Sequence, residues 1–284
     1  MPDNIVRTFD SLSAILDYAQ SPTTFEGTRH SHDEDKGFTG TETWDEAMGL
    51  THRWDEGLAN LHRMTVAIKD ADTSPRTVLR KSVAPPGRVD IAGIAAGDPA
   101  AGYLQRRKAP AVLRRKGKVI RILFSTGASG GVKAETIMRR GAAVLALVDM
   151  LETRGFRCEI TGCAPTVKGG HLDGRVIEYR WTVKRSDQRV PLSALAFGMA
   201  HPSMHRRVIF ACREVEPPTV RRQWGFERNI GTSVDSLMRD EVIAGGGIYL
   251  PTLRAYAPGY DAFTSDEAAR AWVKSEVERI MSGR

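Results

Sequence analysis

The stretch from Lys118 to Gly170 constrains the fold more than any other part of the chain. Val119, Ile120, Ile122, Leu123 and Phe124 form a nearly continuous apolar run, the pattern of a short strand buried on both faces of a parallel sheet. Ser125-Thr126-Gly127-Ala128-Ser129-Gly130-Gly131 follows, and its glycines and hydroxyls suit a loop leading into a helix start. Ala134, Ile137, Met138, Gly141, Val144, Leu145, Val148 and Leu151 then recur at helical spacing, giving one apolar stripe. Gly155 stands where a C′ residue belongs, with Arg154 in the last turn favourable to the helix dipole. Phe156, Cys158 and Ile160 alternate with Arg157 and Glu159, which is strand periodicity. Strand, helix and strand at this length predict a right-handed βαβ unit.

The same strand, loop and helix, with the stretch LETRGFRCEITG followed by VKGG, resemble a von Willebrand A-type domain in the variant seen in cobaltochelatase-type subunits. The resemblance implies an α/β fold, a Rossmann-like sheet flanked by helices. In that family the loop reads Asp-x-Ser-x-Ser and binds a divalent metal through its carboxylate and hydroxyls. Here Ser125 stands at the Asp position, Gly127 at the first Ser position, and Ser129 matches. Hard cations need anionic oxygen ligands, so the expectation is a degenerate metal loop and no cofactor. Were Mg²⁺ or Mn²⁺ retained, Ser125 and Ser129 would be its ligands.

Two other chemistries are open to the loop. It could cradle a phosphate at a helix N-terminus, but the Walker Lys-Ser/Thr pair and the spaced glycines of a dinucleotide fingerprint are missing. Ser125 or Ser129 could be a nucleophile, but no Gly-x-Ser-x-Gly elbow is present. A plain strand-to-helix turn accounts for the same residues.

The 284 residues, 41% hydrophobic and 26% charged, fit one large globular domain or one domain with extensions. No apolar run approaches the roughly 20 residues needed to span a membrane, and MPDNIVRTFD has no apolar signal-peptide core. Cys158, Cys163 and Cys212 lack metal-like spacing and read as buried thiols in a reducing compartment. These features predict a protein of the bacterial cytoplasm or of a virion, with no membrane partner. The net charge of +7 implies attraction to polyanions.

Upstream of the core, Phe9, Leu12, Ile15, Leu16 and Ala19 predict a short amphipathic helix. Residues 21–42 read as a loop containing His30-Ser31-His32-Asp33-Glu34-Asp35, a set that can bind a transition metal or serve as a solvated polar segment. Thr43 and Glu46 make a capping box for a helix carrying Ala47, Leu50, Trp54, Leu58 and Leu61. The pattern TWDEAMGLTHRWDEGLANL, with Gly97-Asp98-Pro99 downstream, is similar to uncharacterised proteins of bacteriophages and integrated elements. That resemblance implies a phage or mobile-element origin. Pro75, Pro85, Pro86 and Gly87 suggest a linker. The expected organisation is therefore an α-helical N-terminal extension (1–84), an irregular basic linker (85–117) and a von Willebrand A-like α/β domain (118–284).

The linker holds Arg106, Arg107, Lys108, Arg114, Arg115 and Lys116 with no acid among them, a run that would attract a phosphate backbone. After the core, Ile177, Tyr179, Trp181 and Val183 alternate with Glu178, Arg180, Thr182 and Lys184. That pattern predicts a half-exposed strand, antiparallel across a hairpin at Gly169-Gly170. Pro191 is placed to start a helix that Pro202 ends, and Ser203 to cap another. In TVRRQWGFERNI, Arg221, Arg222 and Trp224 combine cations with an aromatic, as a single-strand stacking platform would. Ile248 to Leu250 predict a strand, and Thr264 with Glu267 a capped last helix.

His171, His201 and His205 are the histidines of the second half, and Pro202 interrupts the pair spaced four apart. No carboxylate pair, Cys-His dyad or Ser-His-Asp order stands out. Two functions are compatible with this. One is a non-enzymatic phage or mobile-element binding or assembly protein, contacting a protein or nucleic acid through the basic segments. The other is a hydrolase or transferase with Ser125, Ser129 or a His at the carboxyl end of the sheet.

Overall fold

The structure, a computed structural model, describes residues 4–52, 54–68, 77–82, 88–89, 91–96, 103–108, 117–169, 174–188, 196–257 and 259–283. In chain order the strands are β1 (Ile5–Phe9), β2 (Thr77–Ser82), β3 (Arg88–Val89), β4 (Tyr103–Lys108), β5 (Val119–Ser125), β6 (Arg157–Val167), β7 (Ile177–Lys184), β8 (Thr232–Ser233) and β9 (Ile248–Leu250). The longer helices are α1 (Leu12–Ala19), α2 (Trp44–His52), α3 (Asp55–Ile68), α4 (Ala134–Thr153), α5 (Phe210–Glu214), α6 (Pro218–Trp224), α7 (Arg239–Ala244) and α8 (Asp266–Met281).

The main sheet has six strands in the order β1-β7-β6-β5-β9, with β8 on the end of β6. β5 runs parallel to both neighbours, and Ile122 lies opposite Ile160 on one side and Ile248 on the other. β1 is parallel to β7, whereas β7 and β8 are antiparallel to β6. The fold is thus a mixed α/β, Rossmann-like sheet flanked by helices. β5, α4 and β6 form the βαβ unit. Gly155, at φ 92°, ends α4, and Phe156 N–H returns to the Leu151 carbonyl at 3.2 Å, the closing bond of a Schellman cap.

α4 is buried on more than its stripe, with nearly every residue from Thr136 to Leu151 inside. α3 and α8 pack on it, and residues 196–200 cross it at Gly141. The whole-surface burial draws Arg139 and Arg140 into the interior.

Several elements differ from expectation. The N-terminal residues, expected as a helical extension, contribute β1 to the main sheet before α1 begins. The segment expected as an irregular linker contains β3 and β4, which with β2 make a three-stranded antiparallel sheet of order β2-β4-β3. The helix opening at Thr43 is two helices, α2 and α3, although Thr43 Oγ1 does accept from Glu46 N–H at 3.1 Å. Ser265 rather than Thr264 caps α8, its Oγ accepting from Ala268 N–H at 3.2 Å. Residues 196–200 and 204–209 wind as π-helical turns ahead of α5, so a 3.6-residue period could not anticipate which of their side chains face inward. The helix start at Pro191, His171 and Gly97-Asp98-Pro99 lie outside the described residues.

β7 is not the half-exposed strand that its alternation implies. Glu178 and Lys184 are both fully buried. Glu178 accepts from Ser236 Oγ at 2.5 Å, Leu237 N–H at 3.0 Å and Arg180 at 2.9 Å. Lys184 Nζ pairs with Glu152 at 2.7 Å and donates to the Cys158 carbonyl at 2.8 Å. Both ends of the polar face are thus covered, while Arg180 and Thr182 between them are partly buried, and each buried charge has partners, as burial of charge requires.

Candidate functional site

The carboxyl ends of β5, β6 and β9 meet at one edge of the sheet, where open α/β sheets place ligands. Three loops build it among the described residues: Ser125 to Val132, residues 168–169 with 174–176, and residues 251–257 with 259–263. The first and third are stitched together. Ser129 N–H donates to the Leu253 carbonyl and Leu253 N–H to the Gly127 carbonyl, both at 2.8 Å. Gly127 is required for this approach, since a Cβ there would fall 2.6 Å from Thr252 Oγ1.

The Ser125 and Ser129 hydroxyls of the loop are hydrogen-bonded to the third loop, whereas Thr126 Oγ1 is buried without a partner among the described residues. Ser125 is fully buried, and its Oγ shares a 3.0 Å hydrogen bond with Thr252 Oγ1. Ser129 Oγ accepts from Ala255 N–H at 3.4 Å. Two buried guanidinium groups hold the carbonyls of the loop. Arg140 donates to the Ser125 carbonyl at 2.9 Å and the Pro251 carbonyl at 2.6 Å. Arg206 donates to the Ser129 carbonyl at 2.9 Å and the Phe38 carbonyl at 2.7 Å, stacked 4.3 Å from the Phe38 ring. Burial lowers Arg140 to about 9 and Arg206 to about 10, which leaves both charged at neutral pH.

This donor set does not suit the divalent cation implied by the family resemblance. The loop offers no carboxylate, its Ser125 and Ser129 hydroxyls are already bonded and the Ser125 and Ser129 carbonyls are turned towards arginines, while Mg²⁺ and Mn²⁺ sites are built on carboxylates. Among the described residues no group of three or more His, Cys, Asp and Glu could hold a metal ion. The His30–Asp35 segment is likewise built into the fold. Ser31 N–H donates to Glu214 at 2.9 Å, Arg29 pairs with Glu214 at 2.9 Å, and Arg207 donates to the Ser31 and Asp33 carbonyls, each at 2.9 Å. His32 stacks on Trp44 at 5.3 Å. His201 and His205 are buried, and burial pushes both pKa values down, His201 to about 4.

The predicted basic segments are placed differently from one another. Arg106, Arg107 and Lys108 lie in β4, and Arg114, Arg115 and Lys116 lie outside the described residues. Arg221 and Trp224 leave the expected stacking surface. α6 turns them inward, so that Arg221 Nη1 donates to the Glu216 carbonyl at 2.9 Å and Trp224 Nε1 to the Arg175 carbonyl at 3.1 Å. Trp224 is only 1% exposed. Arg222 alone of that trio faces outward.

Of the cations at this edge, sequence reading named Arg222 and missed Lys168, Arg175 and Arg228. Lys168 and Arg175 flank the β6–β7 connection, and Arg222 and Arg228 flank the end of α6. Lys168 approaches Gly225, within 3.5 Å of a Cβ placed there, so the two pairs adjoin. All four are exposed, and none makes an ion pair with a described residue. Tyr256, on the third loop, is 97% exposed and holds a left-handed φ of 64°, a backbone cost that sits at functional loops more often than elsewhere. Among the described residues no helix is long and apolar enough to cross a membrane.

A family model described as a domain of unknown function (DUF7192) matches residues 2–279. No curated protein and no solved structure matches the chain.

Proposed function

We propose that this chain, which belongs to the DUF7192 family, is a non-enzymatic, von Willebrand A-like binding or assembly protein encoded by a phage or mobile element. It holds a polyanionic partner, nucleic acid first, at the carboxyl edge of its sheet. One observation carries the reading: the exposed Lys168, Arg175, Arg222 and Arg228 adjoin at that edge without ion pairs among the described residues, while the Ser125 and Ser129 hydroxyls bond inward. Unpaired surface cations release counterions from a phosphate backbone and so bind it in a salt-dependent way. The order strand, Ser/Gly loop, long helix and Gly-aromatic strand start supports the von Willebrand A-like assignment. The Trp44–Leu61 pattern supports the phage or mobile-element origin, and with it a place in the bacterial cytoplasm or a virion. A hydroxyl nucleophile is disfavoured because Ser125 Oγ has Thr252 Oγ1 and the Gly127 N–H as its partners, neither of them a base.

Gel-shift titration with DNA, RNA and an acidic polypeptide at low and high salt tests the proposal. Binding of DNA or RNA at low salt that weakens with salt, and falls in Arg222→Glu with Arg228→Glu, supports it. Absence of nucleic-acid binding at low salt, or binding unchanged in that variant, overturns the nucleic-acid assignment.

A further inference from the structure

A cavity of about 90 Å³ opens between β9, the Pro251–Phe263 loop and α8. Pro251, Arg254 and Gly259 are exposed at its mouth, and Arg140, Leu250 and Phe263 are buried on its inner wall. Tyr260 and Trp272 line the passage between them. Arg140 reaches this wall from the middle of α4, 4.4 Å from the Phe124 ring centroid. Among the described residues its acceptors are two backbone carbonyls, Ser125 and Pro251, and its Nε–H has no partner. No carboxylate pairs with it among the described residues. Arg206, Arg213 and Arg221 are also buried with an Nε that has no partner among the described residues; what sets Arg140 apart from them is its place on the wall of this cavity.

We infer that the cavity binds a small monocarboxylate carrying a short apolar body, its carboxylate directed at Arg140. The single inward cation matches a single negative charge. Glu276 also lines the cavity, and a second anionic charge would meet it. The aromatic and aliphatic lining, with Ile248, Leu250, Phe263 and Trp272, suits an apolar body rather than a sugar or a phosphate ester. The volume sets the size, since drug-sized ligands occupy pockets of about 300 Å³ or more. This site is separate from the basic edge surface and does not depend on it, so either can fail while the other stands.

Calorimetric titration and saturation-transfer NMR of the full chain with benzoate and isobutyrate test the site, with benzamide and inorganic phosphate as controls. Saturable binding of either carboxylate, without binding of benzamide or phosphate, is expected. Arg140→Met abolishes it. Because Arg140 also holds two loops, Ala262→Leu provides the second variant: it fills the cavity from a partly buried turn and weakens the carboxylate about tenfold or more without lowering the Tm. The proposal is overturned if neither carboxylate binds the wild-type chain saturably, if benzamide or phosphate binds as tightly, or if Ala262→Leu binds like wild type.

Discussion

Gly141 of α4 faces Ala200 so closely that a Cβ on the glycine would lie 2.6 Å from the Ala200 Cβ and 3.1 Å from its Cα. The π-helical turn at 196–200 rests on α4 only because the side chain is missing. Gly141→Ala is therefore expected to destabilise the fold by about 1–3 kcal/mol through overpacking. Ala200→Gly in the same chain should recover part of that loss. Urea unfolding of the two single variants and the double variant measures the coupling. Strictly additive effects would show that the two positions do not touch.

Acid should unfold the protein through its buried histidines. The folded pKa of His201 is about 4 against an ordinary value of 6.5, through burial and the nearby Arg207 charge. Its neutral Nδ1 accepts from Ser203 N–H at 3.1 Å. The unfolded chain thus binds the proton more readily. The contribution is complete above pH 6.5 and is lost as pH falls towards 4, on the order of 3 kcal/mol from His201. His205 is shifted in the same direction and adds to the loss. Unfolding free energy measured between these pH values should fall steeply in wild type and less steeply in His201→Phe.

Trp224→Ala is expected to act on stability rather than on nucleic-acid binding. The ring is buried, and its Nε1–H holds the Arg175 carbonyl. Truncating a buried Trp costs about 3–5 kcal/mol. A Tm drop beyond that of Arg222→Ala, read by circular dichroism, checks this. Unchanged stability with lost nucleic-acid binding would return Trp224 to the surface role suggested by its sequence context.

The thiols should be inert until the chain unfolds. Cys158, Cys163 and Cys212 are free and buried, and burial pushes all three pKa values up, Cys158 to about 12. Thiolate is the reactive species, so iodoacetamide at neutral pH should leave the native protein unlabelled and modify all three cysteines in denaturant. Mass spectrometry of intact protein reads the outcome, and rapid native labelling of any of them would contradict the packing.

The βαβ unit was legible because its information is local. The apolar run of β5, the helical stripe of α4 and the Gly155 cap each depend on residues a few positions apart. The same locality explains the failures. β1 looked like a helix approach because a five-residue edge strand has too short a pattern to announce a partner at β7, far along the chain. Ser265 displaced Thr264 as a cap by one residue, since both can accept the same kind of bond and only the entry path of the chain chooses between them.

What the sequence by itself determined was the fold class, the central strand-helix-strand core, the buried state of the cysteines and the absence of a carboxylate in the Ser125–Gly131 loop. Tertiary structure alone decided which charges face water. Arg140, Arg206 and Arg221 carry the same chemistry as Arg222 and Arg228, and nothing in their spacing marks them as interior. Their burial depends on carbonyls at Ser125, Pro251, Phe38, Ser129 and Glu216 that long-range folding brings within hydrogen-bond reach. A guanidinium goes inside where distant backbone acceptors converge on it, and that convergence does not exist until the chain has folded.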